Sequence, residues 1–467
     1  MKKLPGPPHI PLFGWRFRAI SMLNDPMQFF MNAYTQYGSL SAWDPNHPKQ
    51  ICAMGPEYNQ LLFTNPQQFI VDAFRESRLP RNSAMERLSF GLLRLNGETH
   101  KRHRKLMQPA FNQNVINSYR DAIVFATQSE LDTWHFFEKR EIDNDLMKII
   151  SNISFKTMFG FEPSIESIKI QMLAKKMMKL VVSPLSLIFR INIPGTPYNK
   201  MLSLANEIEC LVRKIIQYKR QSLNNQTDML SALIASTDQD GGKLNEDELI
   251  SEAYTVLCHE SSAATLTWML FLLDQHPNIL NELINEIRFT LQGNPPTIEQ
   301  LDQLKLLDFV IKESIRLLPP AGFGLRYTSE DCQIAEYELS KNTLVFFSSY
   351  VTHRLPEIFP QPLCFNPMRW AHIKPSRYEY IPFGGGPHYC MGQHFALLEI
   401  KIIICMLLQR YRLSLVPNAR IDRGMRISLV PKYGLPMTVY PVSHSIKESK
   451  FLGNISDSVD FSFQSSV

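Results

Sequence analysis

Ten consecutive residues carry the densest chemistry in the chain: Phe383-Gly384-Gly385-Gly386-Pro387-His388-Tyr389-Cys390-Met391-Gly392. A cysteine stands behind a glycine-rich turn and opens an amphipathic stretch, Met391 to about Arg410, whose spacing predicts a helix. The positive end of such a helix stabilises a thiolate. Backbone N–H groups of the turn can point at the sulfur. Phe383, seven residues before the cysteine, can cover it against water. A thiolate held in this way is a strong axial ligand for haem iron, and it pushes electron density in the direction that favours O–O cleavage. The competing reading is a buried, inert thiol at an ordinary loop-to-helix junction.

Three other segments can position such a turn or work beside it. Asn245 can cap a long helix, with Glu248 as its capping-box partner, that runs to His276 and stops at Pro277. At 1.5 Å per residue this spans about 46 Å, enough to cross a domain. Its middle, Leu257-Cys258-His259-Glu260-Ser261-Ser262, interrupts an otherwise apolar face. Buried acid and hydroxyl groups cost stability unless paired or used; the competing reading has them facing solvent or bonded back to their own helix. Glu313 and Arg316 are three apart and share a helix face. Such a pair is commonly exposed and contributes little. Finally, His100-Lys101-Arg102-His103-Arg104-Lys105 is the one dense basic run, with His100 and Arg104 able to reach one anion.

The pattern Phe-x-x-Gly-x-x-x-Cys-x-Gly resembles the signature of the cytochrome P-450, or haem-thiolate monooxygenase, family, in the manner of a soluble bacterial-type member. The resemblance extends from Pro5-Gly6-Pro7-Pro8 to Tyr440. It implies the cytochrome P-450 fold, haem b held by Cys390 as the iron ligand, and Phe383 and Gly392 at the haem. It implies propionate contacts from His100, Arg104, Arg326 and His388. The central helix is similar to the family's oxygen-face helix, so Glu260 and Ser261 would form its acid–alcohol pair. A hydroxyl beside an acid can relay protons. Serine stands where the family has threonine, and Leu257 and Cys258 replace two small residues, with Cys258 able to crowd the oxygen site. Glu313, Arg316 and Arg369 resemble the family's structural Glu-x-x-Arg plus Arg triad, although Met368 departs from its usual glutamate. Phe74, Leu92, Leu93, Leu257 and Phe323 are the implied substrate contacts; core packing is the alternative for each. The segment Leu180–Pro197 is similar to the lid of members acting on sterols, retinoids and other terpenoids.

Composition sets the frame. The 467 residues are 44% hydrophobic and can bury a large core. Helical periods dominate, and short strand-like pieces occur at Leu40–Trp43, Gln50–Ala53, Asp331–Ala335, Thr343–Phe347 and Thr438–Tyr440. The fold class is therefore mainly α with small β-sheets (α+β). One domain is expected over 1–440, followed by a serine-rich disordered tail, 441–467. No uninterrupted apolar stretch reaches membrane-spanning length, and no signal peptide or anchor precedes the proline-rich start, so a soluble, cytoplasmic monomer is expected. Seven cysteines without paired spacing argue for a reducing compartment. A net charge of +5 does not imply a nucleic-acid partner. The reaction implied is insertion of one oxygen atom into an apolar small molecule. Its electrons would come from NAD(P)H through a separate ferredoxin or flavodoxin docked near Lys101, Arg102 and Lys105. The alternatives are a peroxide-using or O2-independent haem-thiolate enzyme of the isomerase or dehydratase type, and a non-catalytic haem-binding sensor.

Overall fold

The computed structural model describes residues 3–9, 14–72, 79–160, 165–181, 183, 185–186, 190–221, 228–238, 241–256, 260–444 and 449–462. The central segment forms the helices Glu246–Val256 and Glu260–Asp274, with 257–259 outside the described residues. Its start is capped as the sequence predicts: the Asn245 side chain accepts from the Glu248 N–H at 2.9 Å, and the Glu248 carboxylate accepts from the Asn245 N–H at 2.8 Å. Every residue from Ser262 to Asp274 is buried. This explains why the helix is apolar all round rather than striped. It packs against the helices Ile142–Phe159, Lys305–Leu317 and Gln393–Arg410. The segments Glu246–Asp274 and Gly386–Arg410 are thus apolar and long enough to pass as membrane spans, contrary to the sequence reading. Their apolar windows are 87% and 61% buried within the protein, as core helices.

Five short strands build the largest sheet, in the order Leu40–Ala42, Gln50–Ala53, Leu344–Phe347, Gly324–Thr328 and Phe69–Ile70. The only parallel pair in it joins Gln50–Ala53 to Leu344–Phe347. The sequence pattern locates three of these strands to within one residue. It misses Gly324–Thr328, whose start is hidden in Pro319-Pro320-Ala321-Gly322-Phe323, and this strand places Arg326 opposite Val345. A second sheet sets Pro436–Pro441 between Lys139–Glu141 and Tyr411–Leu415.

The end of the chain differs from the expected disordered tail. Phe451–Leu452 pairs in parallel with Ala419–Arg420. Ile455 and Val459 are buried. The Ser458 hydroxyl accepts from Tyr350 Oη at 2.8 Å and from Arg423, and the Ser458 carbonyl accepts from Arg354 Nη2 at 3.0 Å. The Phe451 and Phe461 rings pack at 5.4 and 5.7 Å from Phe271 of the central helix. Serine-rich composition concealed four well-spaced apolar anchors: Phe451, Ile455, Val459 and Phe461. Deleting residues 449–467 is expected to lower stability by at least about 3 kcal/mol, from the burial of Ile455 and Val459 alone. A denaturant titration showing the parent midpoint would refute this.

Candidate functional site

The site begins with a buried acid on the helix Lys305–Leu317. Glu313 is inaccessible to water, and its carboxylate accepts from five donors. These are Arg316 Nε and Nη2 and Arg369 Nε, each at 2.9 Å, with the Asn366 N–H and Trp370 Nε1 at 3.0 Å. Burial acts to raise its pKa, yet the two guanidinium groups and the Asn366 N–H bring it below the usual carboxylate value. Both arginines then reach past the acid. Arg316 holds the carbonyls of His353, Pro362 and Cys364, and Arg369 those of Pro360, Gln361 and Cys364. His353 Nε2 accepts the Ile381 N–H at 2.9 Å, two residues before Phe383. The pair that reads as exposed in sequence is instead the knot that fixes the approach to the cysteine turn.

Glycine is required in that turn for two reasons. Gly384 and Gly386 have φ of +72° and +66°, and a Cβ on Gly385 would lie 2.2 Å from the Phe63 ring. The turn ends with the Cys390 N–H bonded to the Phe383 carbonyl at 3.0 Å. The following helix is Gln393–Arg410, beginning two residues later than the spacing predicts. Met391 and Gly392 therefore stay outside it, and the N–H groups of Gly392 and Gln393 are directed at the sulfur. Cys390 is exposed, unlike a buried inert thiol. Crowding by protein atoms pushes its pKa up, while those two N–H groups and the Arg104 charge oppose the rise. Gly392 itself has an ordinary φ of −80°; its added Cβ would lie 3.9 Å from Sγ, so a larger side chain would cover the sulfur.

Around this turn stand the four nitrogen-bearing residues singled out in the sequence. His100 and Arg104 come from the helix Gly97–Met107, Arg326 from its strand, and His388 from the turn. The His100 and His388 rings lie 4.1 Å apart. Arg104 Nη1 donates to the Tyr389 carbonyl at 2.8 Å. Arg326 is buried between the Phe63 and Phe347 rings, and among the described residues no carboxylate pairs with it. Burial pushes the Arg326 pKa down to about 10. Burial, then neighbouring positive charge, lowers His100 to about 4 and His388 to about 3. His100 Nε2 is buried with no hydrogen-bond partner among the described residues. Two arginines and two neutral ring N–H donors, desolvated and without a carboxylate partner among the described residues, are what two carboxylates of a haem would satisfy. The donor set fits haem, with a thiolate at the centre and propionate partners at one edge.

The remaining expectations fall out unevenly. Ser261 is exposed, and its carbonyl accepts the Thr265 hydroxyl at 2.9 Å. Glu260 faces the strand pair Arg423–Met425 and Leu429–Pro431: it lies 3.8 Å from Arg426 Nη1 and takes N–H bonds from Ser428 and Ile427. Burial outweighs these and leaves its pKa raised. Leu92 is half-buried, Leu93 is 61% exposed, and Phe323 packs its ring 5.1 Å from Phe30. Phe74, Leu257, Cys258 and the lid residues Leu187, Ile188 and Phe189 lie outside the described residues. Lys101 and Lys105 are exposed, but Arg102 does not face out. It turns in to Asp238, Glu248 and the Lys243 carbonyl, drawn by the two carboxylates.

Sequence reasoning missed Glu252 and His103. Glu252, fully buried on the central helix, accepts from the Leu92 N–H at 3.2 Å and is hydrogen-bonded to His103 Nδ1 at 2.8 Å. A Cβ on Gly91 would strike Thr255 Oγ1 at 2.4 Å, so the loop carrying Leu92 lies directly on this helix. The available signal was an acid one turn before the Leu257–Ser262 interruption, on the helix's buried face.

A thiolate turn on a mainly α fold, with a cation set shaped for a porphyrin's carboxylates, defines a haem-thiolate protein. The family description Cytochrome P450 matches residues 4–435, and the chain belongs to that family of oxidoreductases, the P450 monooxygenases. It is 28% identical to Cytochrome P450 4c21 of Blattella germanica, covering 92% of this chain and 91% of that one. It is 27% identical to the cyclooctat-9-en-7-ol 5-monooxygenase of Streptomyces melanosporofaciens, covering 88% and 90%. Among solved structures, the retinoic acid-bound cyanobacterial CYP120A1 superposes with a TM-score of 0.80 at 24% identity, covering 94% of this chain and all of that one, which is a likeness of fold.

Two predictions follow from the charges. Glu313→Ala leaves two buried guanidinium groups unpaired and is expected to cost about 3–5 kcal/mol in chemical unfolding; a loss below about 1 kcal/mol would show that the knot is dispensable. The lowered histidines take up protons on unfolding, so their contribution is present above about pH 6.5 and is lost as pH falls toward 4 and 3. His100→Gln with His388→Gln should flatten the stability–pH curve of the haem-free protein across that window, and an unchanged slope would contradict the assignment.

Proposed function

We propose that the chain binds one haem b through Cys390 and inserts one oxygen atom from O2 into a C–H or C=C bond of an apolar small molecule. A separate ferredoxin or flavodoxin delivers two electrons from NAD(P)H, and with two protons the second oxygen atom leaves as water. The observation that carries this reading is the sulfur of Cys390, reached by the Gly392 and Gln393 N–H groups and by the Arg104 charge, beside a buried Arg326 with no carboxylate partner among the described residues. When bound, haem supplies the iron centre at which oxygen is activated.

The chain's own groups do the rest. The Gly392 and Gln393 N–H groups favour the anionic sulfur against burial and would temper its donation to a bound iron. Arg326, buried and without a carboxylate partner among the described residues, would hold one propionate, and Arg104, His100 and His388 would contact the other. Glu313, Arg316 and Arg369 keep the turn in place. The Ser261 hydroxyl passes protons to the reacting oxygen, and Glu260, with its raised pKa, supplies them from the Arg426 side. Leu92, Leu93 and Phe323, with Phe74 and Leu257, frame the substrate. A relative named for cyclooctat-9-en-7-ol and a structural neighbour holding retinoic acid support a mostly hydrocarbon substrate of terpenoid size. Exposed Lys101 and Lys105 contribute to docking an acidic electron carrier. The protein acts as a soluble, cytoplasmic monomer.

Reduced protein under carbon monoxide is expected to show the red-shifted Soret band of thiolate ligation, and Cys390→Ser to lose it. A thiolate spectrum in the serine variant would sink the ligand assignment. Ser261→Ala should keep that band while diverting electrons to peroxide, lowering product per NAD(P)H by about tenfold or more. Unchanged coupling would move the proton route elsewhere.

A further inference from the structure

The loop that carries Leu92 and Leu93 is pinned at both ends. On one side, Arg87 of the helix Ala84–Leu88 donates from Nε and Nη2 to the Glu209 carboxylate of the helix Pro197–Gln221, at 2.9 and 2.7 Å. On the other, Arg94 Nε donates to Asp72 at 3.0 Å, and the Asn96 side chain bonds both the N–H and the carbonyl of Val71. Between the pins the chain reads Ser89-Phe90-Gly91-Leu92-Leu93. Phe90 and Leu93 are exposed, so packing alone does not hold this stretch. Among the described residues, the Leu92 N–H is the one backbone group of the stretch that bonds beyond residues 83–96, and its acceptor is Glu252 Oε2 at 3.2 Å.

Glu252 stands on the helix Glu246–Val256, eight residues before Glu260. A fully buried carboxyl group costs stability unless its oxygens are satisfied, and an apolar residue among Ile250, Ala253 and Val256 would avoid that cost. Its two oxygens are divided. Oε1 is held by His103 Nδ1 at 2.8 Å, and Oε2 is left for the loop. His103 is itself fully buried between two acids one turn apart: its Nε2 comes within 3.3 Å of Glu248 Oε1, without the alignment of a hydrogen bond. Glu248 is engaged in turn by Arg102 and by the Asn245 N–H. The imidazole therefore fixes the rotation of Glu252 and aims Oε2 at Leu92. Gly91 completes the contact. A Cβ there would lie 2.4 Å from Thr255 Oγ1 and 3.1 Å from both Glu252 Oε2 and the Ser251 carbonyl, so the loop comes closer than any other residue type allows. A loop that merely covered the helix would need neither the missing side chain nor a buried acid.

We propose that Glu252 is a positioning residue that sets size selectivity: by holding the Leu92 N–H, it fixes how far Leu92 and Leu93 stand over the substrate space and so how large a molecule enters. The effect on selectivity rests on the haem-thiolate reading; the positioning of the loop does not. Three substitutions separate this role from a purely structural contact. Glu252→Gln keeps the shape, since the amide can accept from the Leu92 N–H and donate to His103 Nδ1, with the ring proton then on Nε2 facing Glu248. Glu252→Leu keeps the volume and removes both acceptors. Gly91→Ala leaves Glu252 in place and lifts the loop by its Cβ.

The test measures the affinity of the holoprotein for two iron-directed probes, imidazole and 4-phenylimidazole, from the shift of the Soret band. Glu252→Leu and Gly91→Ala are each expected to move the ratio of affinities toward the larger probe by about fivefold or more. Both should keep the carbon monoxide band of the parent, and Glu252→Gln should keep the parental ratio. In hydrogen exchange, the Leu92 amide should open about tenfold or more faster in Glu252→Leu and Gly91→Ala, and at the parental rate in Glu252→Gln. A ratio that does not move toward the larger probe in these two variants overturns the proposal, even where both lose stability, because a structural contact alone would cause that loss. Parental exchange at Leu92 overturns it equally. If Glu252→Leu does not fold, Gly91→Ala decides on the same two readings. A parent without the carbon monoxide band would sink the haem reading, and the exchange measurement would still decide the positioning.

Discussion

The carboxylate of Glu313 takes five hydrogen bonds out of contact with water, and the geometry of the cysteine turn depends on them. A buried ion pair is weak evidence for stability, because desolvation of the charges can cancel their attraction. Its value here lies in direction. An arginine fork has donors left over once the acid is gripped. Arg316 and Arg369 spend theirs on the carbonyls of an irregular stretch, residues 353–364, that has little regular structure of its own. Apolar residues of equal volume would fill the space without orienting those carbonyls. The chain then reaches Ile381, whose N–H is tied to His353, and the turn starts from a fixed point.

The electrostatics of the two sides of that turn are opposed. On the helix side, N–H groups and Arg104 favour a negative sulfur against the cost of crowding. On the other, burial disfavours the charged forms of Arg326, His100 and His388, and neighbouring positive charge adds to this for the two histidines. Such a cluster weakens the fold that carries it unless something negative arrives. The strain is local and bounded by rigid elements: the strand of Arg326, the helix of His100 and Arg104, and the turn itself. Such a cost is understandable if the cluster serves as a preformed anion site, an arrangement that suits binding precise in orientation.

Legibility in the sequence followed the range of the interactions involved. The cysteine turn could be read because its glycines, its cysteine and its helix are contiguous and each has a local reason to be there. The Asn245 cap was readable for the same reason. Glu313 and Arg316 were visible only as a helix pair; their burial depends on Arg369 and on five carbonyls that lie 37 or more positions from Arg316 or 5–9 positions from Arg369. The chain end was misread because average composition hides spaced anchors, which matter only when a surface awaits them. Glu399 left a trace, one acid inside Phe395–Leu408, but an acid in an apolar run is also how an exposed helix face begins. Only the packing of the central helix against it distinguishes the two.

Two acids with raised pKa values now flank the serine pair, and they differ in how they meet solvent. Glu260 retains some exposure and sits beside Arg426 and the exposed Ile427, so a proton can reach it from outside. Glu399 has neither exposure nor a partner that could relay from the surface among the described residues. An acid of the first kind can be refilled quickly but leaks, because its carboxylate is stabilised by a nearby guanidinium and by backbone N–H groups. An acid of the second kind holds its proton more firmly, because burial disfavours its ionised form and only the Ser262 hydroxyl opposes that. With a serine in place of threonine, the hydroxyl at position 261 lacks the methyl that would fix its rotamer.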